Sequence, residues 1–145
     1  MGKTTKDTNP KDALGVEKVP ASTIPANVKL ELGLAMLEGA RKYGRHNYRV
    51  SGVKASVYYD ALNRHIDAWW EGEDIDPESG LSHVIKAIAC LVVLRDAQIG
   101  KNWVDDRPPK STIDFDYLNS KAKEIIKRYP ECAPPYTEIS ERKTK

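Results

Sequence analysis

The sequence predicts an all-α fold: a small helical bundle of about four helices with extended N- and C-terminal arms. Three observations lead there. Four segments repeat apolar residues at the helical i, i+3/i+4, i+7 spacing. No segment shows the strict alternation of a half-buried strand. Prolines crowd both ends, at Pro10, Pro20 and Pro25 and again at Pro130, Pro134 and Pro135, and confine long regular elements to the middle. The chain divides accordingly into an extended arm (1–25), a helical domain (26–110) and a C-terminal helix with its tail (111–145).

The first helix begins after Pro25, with Val28, Leu32, Ala35, Met36 and Ala40 in register, and ends near Lys42–Gly44, where glycine suits a C-terminus. A basic loop follows, Arg45-His46-Asn47-Tyr48-Arg49, and a turn at Ser51-Gly52. The second helix runs from Ser56, a suitable N-cap, to about Trp70. Tyr58, Ala61, Leu62, His65 and Trp69 share one of its faces, and Asp60, Arg64, Asp67 and Glu71 another. A third helix spans about Gly80 to Ile99 and is apolar almost all round, which places it in the middle of a bundle or at a subunit interface. The fourth spans Asp114 to Tyr129, with Leu118, Ala122, Ile125, Ile126 and Tyr129 on one side, and the last residues read as a frayed tail.

At 145 residues the chain holds one domain rather than two, and four such helices make a small core, so a homo-oligomer is expected. Twenty-three Lys and Arg against 21 Asp and Glu leave a net charge of +2, unlike a strongly basic nucleic-acid module. Stable nucleic-acid binding is not expected. The longest apolar run, Val84 to Leu94, contains Lys86 and is too short to span a membrane. The first fifteen residues lack the apolar stretch of a signal peptide. Cys90 and Cys132 give no disulfide framework. These features point to the cytoplasm.

The most unusual segment is Glu71-Gly72-Glu73-Asp74-Ile75-Asp76-Pro77-Glu78-Ser79-Gly80. Alternating carboxylates at Asp74, Asp76 and Glu78 can supply oxygen ligands to a hard cation. The same run also reads as a solvated acidic loop. His83 and His65 are open to two readings as well, as ligands or as hydrogen-bonded core residues. Glu38 and Lys42 stand one turn apart, either as an exposed ion pair or as a metal ligand beside a phosphate-binding lysine. Lys42, Arg45, His46 and Arg49 form a local basic cluster suited to phosphate, with Tyr43 and Tyr48 interleaved where a base can stack. No P-loop is present, and no Ser/His/Asp or Cys/His nucleophile signature.

A string of short motifs carries a resemblance. It consists of Asn9-Pro10-Lys11-Asp12, Gly39-Ala40-Arg41-Lys42-Tyr43-Gly44 with His46-Asn47-Tyr48-Arg49, Arg64-His65, the Gly72-to-Gly80 block with His83, and Asp105-Asp106-Arg107-Pro108. This resembles the dATP/dGTP diphosphohydrolase domain family common in phages, similar to the MazG-like nucleotide pyrophosphohydrolases. The Gly72-to-Gly80 block is the most specific part.

The resemblance implies an all-α enzyme that uses Mg²⁺ or Mn²⁺ to cleave a purine deoxynucleoside triphosphate to monophosphate and pyrophosphate. If the chain is phage-encoded, it works in the host's cytoplasm. The resemblance also implies Glu38, Glu71, Asp74, Asp76, Glu78 and His83 as metal-site candidates, with Glu38, Glu78 and His83 catalytic. Lys42, Arg45, Arg64 and Lys86 would meet phosphates, and His46, Asn47 and Tyr48 sugar or base. Two departures stand out. Lys86 occupies the position where the family places a second histidine, three residues after His83, and the MazG-type Glu-Glu-x-x-Glu motif is absent in literal form. Lys86 motivates an alternative, a non-catalytic protein that sequesters a phosphorylated nucleotide.

Overall fold

The computed structural model describes residues 9–142. The expectations for residues 1–8 of the N-terminal arm and for 143–145 lie outside the described residues. The chain forms two compact units, one ending at Arg107 and one beginning at Pro108.

The fold is all-α, as the periodicity predicts, and its long helices fall close to the expected bounds. In the first unit α1 (Pro10–Gly15) and a single 3-10 turn (Ala21–Thr23) precede α2 (Ala26–Tyr43), α3 (Asn47–Ser51), α4 (Ala55–Trp70) and α5 (His83–Ile99). The short α1 lies within the stretch read as extended arm. The Asn9 side chain accepts a hydrogen bond from Lys11 N–H, and Pro10 suits the first helical position.

α5 is the central element, packed along α4 and against α2. Its N-cap is Ser82, whose hydroxyl accepts from the Val84 and Ile85 N–H groups, so the helix starts three residues after the expected Gly80. Alanines at the contacts (Ala35, Ala55, Ala87, Ala97) are buried and let the helices approach closely. One core cluster gathers Val53, Val93 and Ala97, with Met36, Tyr48, Tyr58, Leu94 and Trp103 packed on it.

Two features were not legible as period or motif. Val53–Lys54 (β1) and Trp103–Val104 (β2) pair in parallel, Val53 opposite Trp103. Two residues per strand are too few to register as alternation. The start of α4 is also capped differently from the expectation. Ser56 is not its N-cap. The Asp106 carboxylate instead accepts from Ser56 N–H at 2.8 Å and from the Ser56 hydroxyl. A helix start is thus satisfied by a residue far along the chain.

The second unit carries α6 (Phe115–Arg128) and α7 (Glu138–Arg142). Asp114 caps α6 by accepting from Tyr117 N–H. In the stretch read as frayed tail, Thr137 and Ser140 hydrogen-bond each other reciprocally across the start of α7. Among the described residues no helix is long and apolar enough to cross a membrane.

Candidate functional site

Between α2, α5 and the segment that joins α2 to α3 lies a cavity of about 360 Å³. That is within the range of roughly 300–1,000 Å³ usual for small-molecule sites. Gly33, Gly39 and Ala40 keep the α2 side free of bulk. Met36, Tyr58, Cys90 and Val93 supply an apolar floor, and Tyr43 and Tyr48 stand as aromatic wall. Arg45, His46, Asn47 and Lys86 bring polar groups to it. The expected substrate-side residues Arg45, His46, Asn47, Tyr48 and Lys86 therefore share one cavity.

Its outer wall is a tight turn. Gly44 takes φ +96°, which an L side chain rarely adopts, and His46 itself is left-handed at φ 65°. Burial raises the Tyr58 phenol and the Cys90 thiol above their ordinary values, so both stay neutral in the floor.

Glu38 lies one turn before Lys42 on α2, and its half-buried carboxylate is the hub of the charged groups. One oxygen takes a short hydrogen bond from Lys86 Nζ. The other stands 3.8 Å from Lys42 Nζ, and Lys42 Nζ stands 3.7 Å from Glu78. The structure thus joins Glu38, Lys42, Glu78 and Lys86, which come from three different parts of the chain.

The acidic loop is built rather than merely solvated. Asp76 N–H donates to Leu81 C=O, Gly80 N–H to Asp76 C=O, and His83 N–H to Asp74 C=O. Gly72 and Gly80 turn the chain at positive φ. The Asp76 carboxylate closes the turn by accepting from Ser79 Oγ–H at 2.7 Å and from the Glu78 and Ser79 N–H groups. Partial burial pushes the Asp76 carboxyl up, but these hydrogen bonds together outweigh it and hold the group below its usual range. Asp74 contributes its carbonyl, and the side chains of Glu71 and Asp74 are exposed.

His83 is buried, and both its ring nitrogens are engaged. Nε2 lies 2.7 Å from Glu73 and Nδ1 lies 2.9 Å from His65 Nδ1. Glu73 stands outside the Asp74, Asp76, Glu78 alternation, and its place directly after Gly72 is the local signal for it in the sequence. Arg64 is exposed on α4, and its positive charge is felt at Cys90 and His65.

Among the described residues no group of three His, Cys, Asp or Glu side chains could hold a metal ion unaided. The donor chemistry points instead to the pair Glu38 and Glu78. Both are carboxylates of the kind a hard cation takes, and the Lys42 ammonium stands 3.8 Å from one and 3.7 Å from the other.

A family model described as dATP/dGTP diphosphohydrolase, N-terminal, matches residues 8–107. The chain is 32% identical over 90 residues to a protein of Salmonella phage PMBT28 named dATP/dGTP diphosphohydrolase. That stretch covers 62% of this chain and spans 30% of the relative's length. No solved structure matches the chain. The matched residues take in the cavity, the acidic loop and the Asp106 cap together, and the chain belongs to the dATP/dGTP diphosphohydrolase N-terminal family.

Proposed function

We propose that the protein hydrolyses a purine deoxynucleoside triphosphate, dATP or dGTP, to the monophosphate and pyrophosphate. The observation that carries this reading is the cavity: an apolar floor with tyrosines at its wall opens beside Arg45 and Lys86, and Glu38 ties Lys86 to Lys42. A base fits the first part and a polyphosphate the second.

Glu38 and Glu78 would hold Mg²⁺ or Mn²⁺, with the Lys42 ammonium swung aside toward the substrate. When bound, such an ion offsets phosphate charge and makes water more acidic. The protein's own groups do the rest. Tyr43 and Tyr48 stack on the base, and Asn47 and His46 meet the sugar. Glu38 accepts the proton of the water that attacks the α-phosphorus in line. Lys42 and Arg45 neutralise the departing pyrophosphate. His83, pinned by Glu73 and His65, sets the position of the acidic loop that presents Glu78. The enzyme works as a homo-oligomer in the cytoplasm, with no stable hold on nucleic acid.

Incubation with dATP, dGTP, dCTP and dTTP in Mg²⁺ and then Mn²⁺, with products separated by ion exchange, tests this. Purine monophosphate and pyrophosphate are expected. Intact nucleotide under both metals would overturn it. That result would favour a second reading, a nucleotide-sequestering protein, which the Lys86–Glu38 ion pair supports because it occupies a carboxylate oxygen that catalysis would use.

A further inference from the structure

The wall of the cavity is fastened from outside the cavity. α3 is only five residues long and begins from a left-handed His46, so it has little helical stability of its own. Two of its carbonyls, those of Tyr48 and Arg49, accept from one distant side chain. Asn102 Nδ2 donates to Tyr48 C=O at 3.1 Å and to Arg49 C=O at 2.7 Å. The Asn102 backbone carbonyl then accepts from Val53 N–H at the start of the β1–β2 pairing.

Gly52 makes this approach feasible. It sits at φ +74°, and a Cβ there would stand 3.0 Å from Asn102 Oδ1. A second fastening comes from α5, where Asp96 receives Arg49 through two hydrogen bonds of 3.0 and 2.8 Å. Neither Asn102 nor Asp96 lines the cavity.

We propose that Asn102 is a positioning residue for nucleotide binding, acting through α3 to set the His46–Tyr48 wall. This rests on the reading of the cavity as the nucleotide site. An amide is required because the two atoms it meets are both carbonyl oxygens. A carboxylate of the same shape places like partial charges together. The wall faces base and sugar rather than the scissile bond, so its disorder weakens binding and leaves the chemical step alone.

The test is Asn102→Asp, with Asn102→Ser as a smaller, uncharged second variant should the first not fold. Steady-state kinetics on the preferred purine triphosphate should show KM raised about ten-fold with kcat within about two-fold of wild type. Hydrogen exchange without nucleotide should quicken across residues 44–52 and stay unchanged in α4. A lower kcat at unchanged KM, or exchange quickened throughout the unit, marks a merely structural residue and overturns the proposal. Unaltered exchange in 44–52 overturns it too. If the wild type hydrolyses nothing, the exchange experiment still decides the fastening, and calorimetric titration with dATP and dGTP decides its effect on binding.

Discussion

The Nδ1 atoms of His65 and His83 stand 2.9 Å apart, while Glu73 takes the far nitrogen of His83 at 2.7 Å. A carboxylate accepts, so His83 carries its proton on Nε2 and offers Nδ1 as acceptor. His65 must then donate from Nδ1. Nitrogen-15 NMR at pH 7.5 should find His65 in the Nδ1–H tautomer and His83 in the Nε2–H tautomer. The reverse pairing would show that Glu73 does not set the order.

The same pair makes stability depend on pH. Burial lowers the His65 pKa below its ordinary 6.5, with the charges of His83, Lys86 and Arg64 adding to it against Asp76. In the unfolded chain His65 takes up a proton near pH 6.5; in the folded chain it does so only at lower pH. Stability is therefore unaffected above about 6.5 and falls as pH drops below that value. Thermal melts from pH 7.5 to 5.5 should show a declining Tm, and His65→Gln should flatten the decline. An equal slope in the variant would assign the effect to other groups.

Glu78→Ala separates activity from folding. The Glu78 side chain is 82% exposed, and its ion contact is with an exposed lysine. Its loss should leave Tm and helical circular dichroism unchanged. Metal-stimulated turnover should fall by about 100-fold or more, on the scale of losing a charged group that acts in the transition state. Wild-type turnover would remove Glu78 from the site.

Glu38→Ala should damage both. Lys86 is only 18% exposed and loses its carboxylate partner, which costs about 1–2 kcal/mol for a half-buried donor left unsatisfied. Glu38→Ala with Lys86→Met should recover much of that stability without recovering turnover. Urea melts of the single and double variants check this.

Asp106→Ala should lower Tm without touching nucleotide affinity, because Asp106 serves the start of α4 and not the cavity. The Ser56 side chain and then its N–H hold this carboxyl below its usual range. Its contribution is present above pH 4 and lost as pH falls further. A changed KM would mean that the cap reaches the site.

The long helices were legible because their apolar spacing is set by burial on one face, and α2, α4 and α5 begin and end within a few residues of expectation. Arg45 to Tyr48 were legible as a local cluster. What the sequence could not give is pairing over distance. Lys86 is read most simply as one charge in an apolar run, yet it meets Glu38 on another helix. Asp106 looks like part of a connector, yet it caps α4. Asp76 looks like a ligand from its spacing, while the loop's own N–H groups engage its carboxylate. Local pattern records which face is buried, but not which polar group arrives from elsewhere to satisfy another.

The parallel pairing of β1 and β2 sets an order of assembly. The α4–α5 packing joins elements close in sequence, whereas the links from α3 and the start of α4 to Asp96, Asn102 and Asp106 join residues 47 to 54 apart. Contacts of that span close a long loop and form after local ones. The helical hairpin thus condenses first, and the cavity wall is laid on it late. The wall is also among the first parts to open under stress, so a partly unfolded chain retains most of its helix after the cavity has come apart.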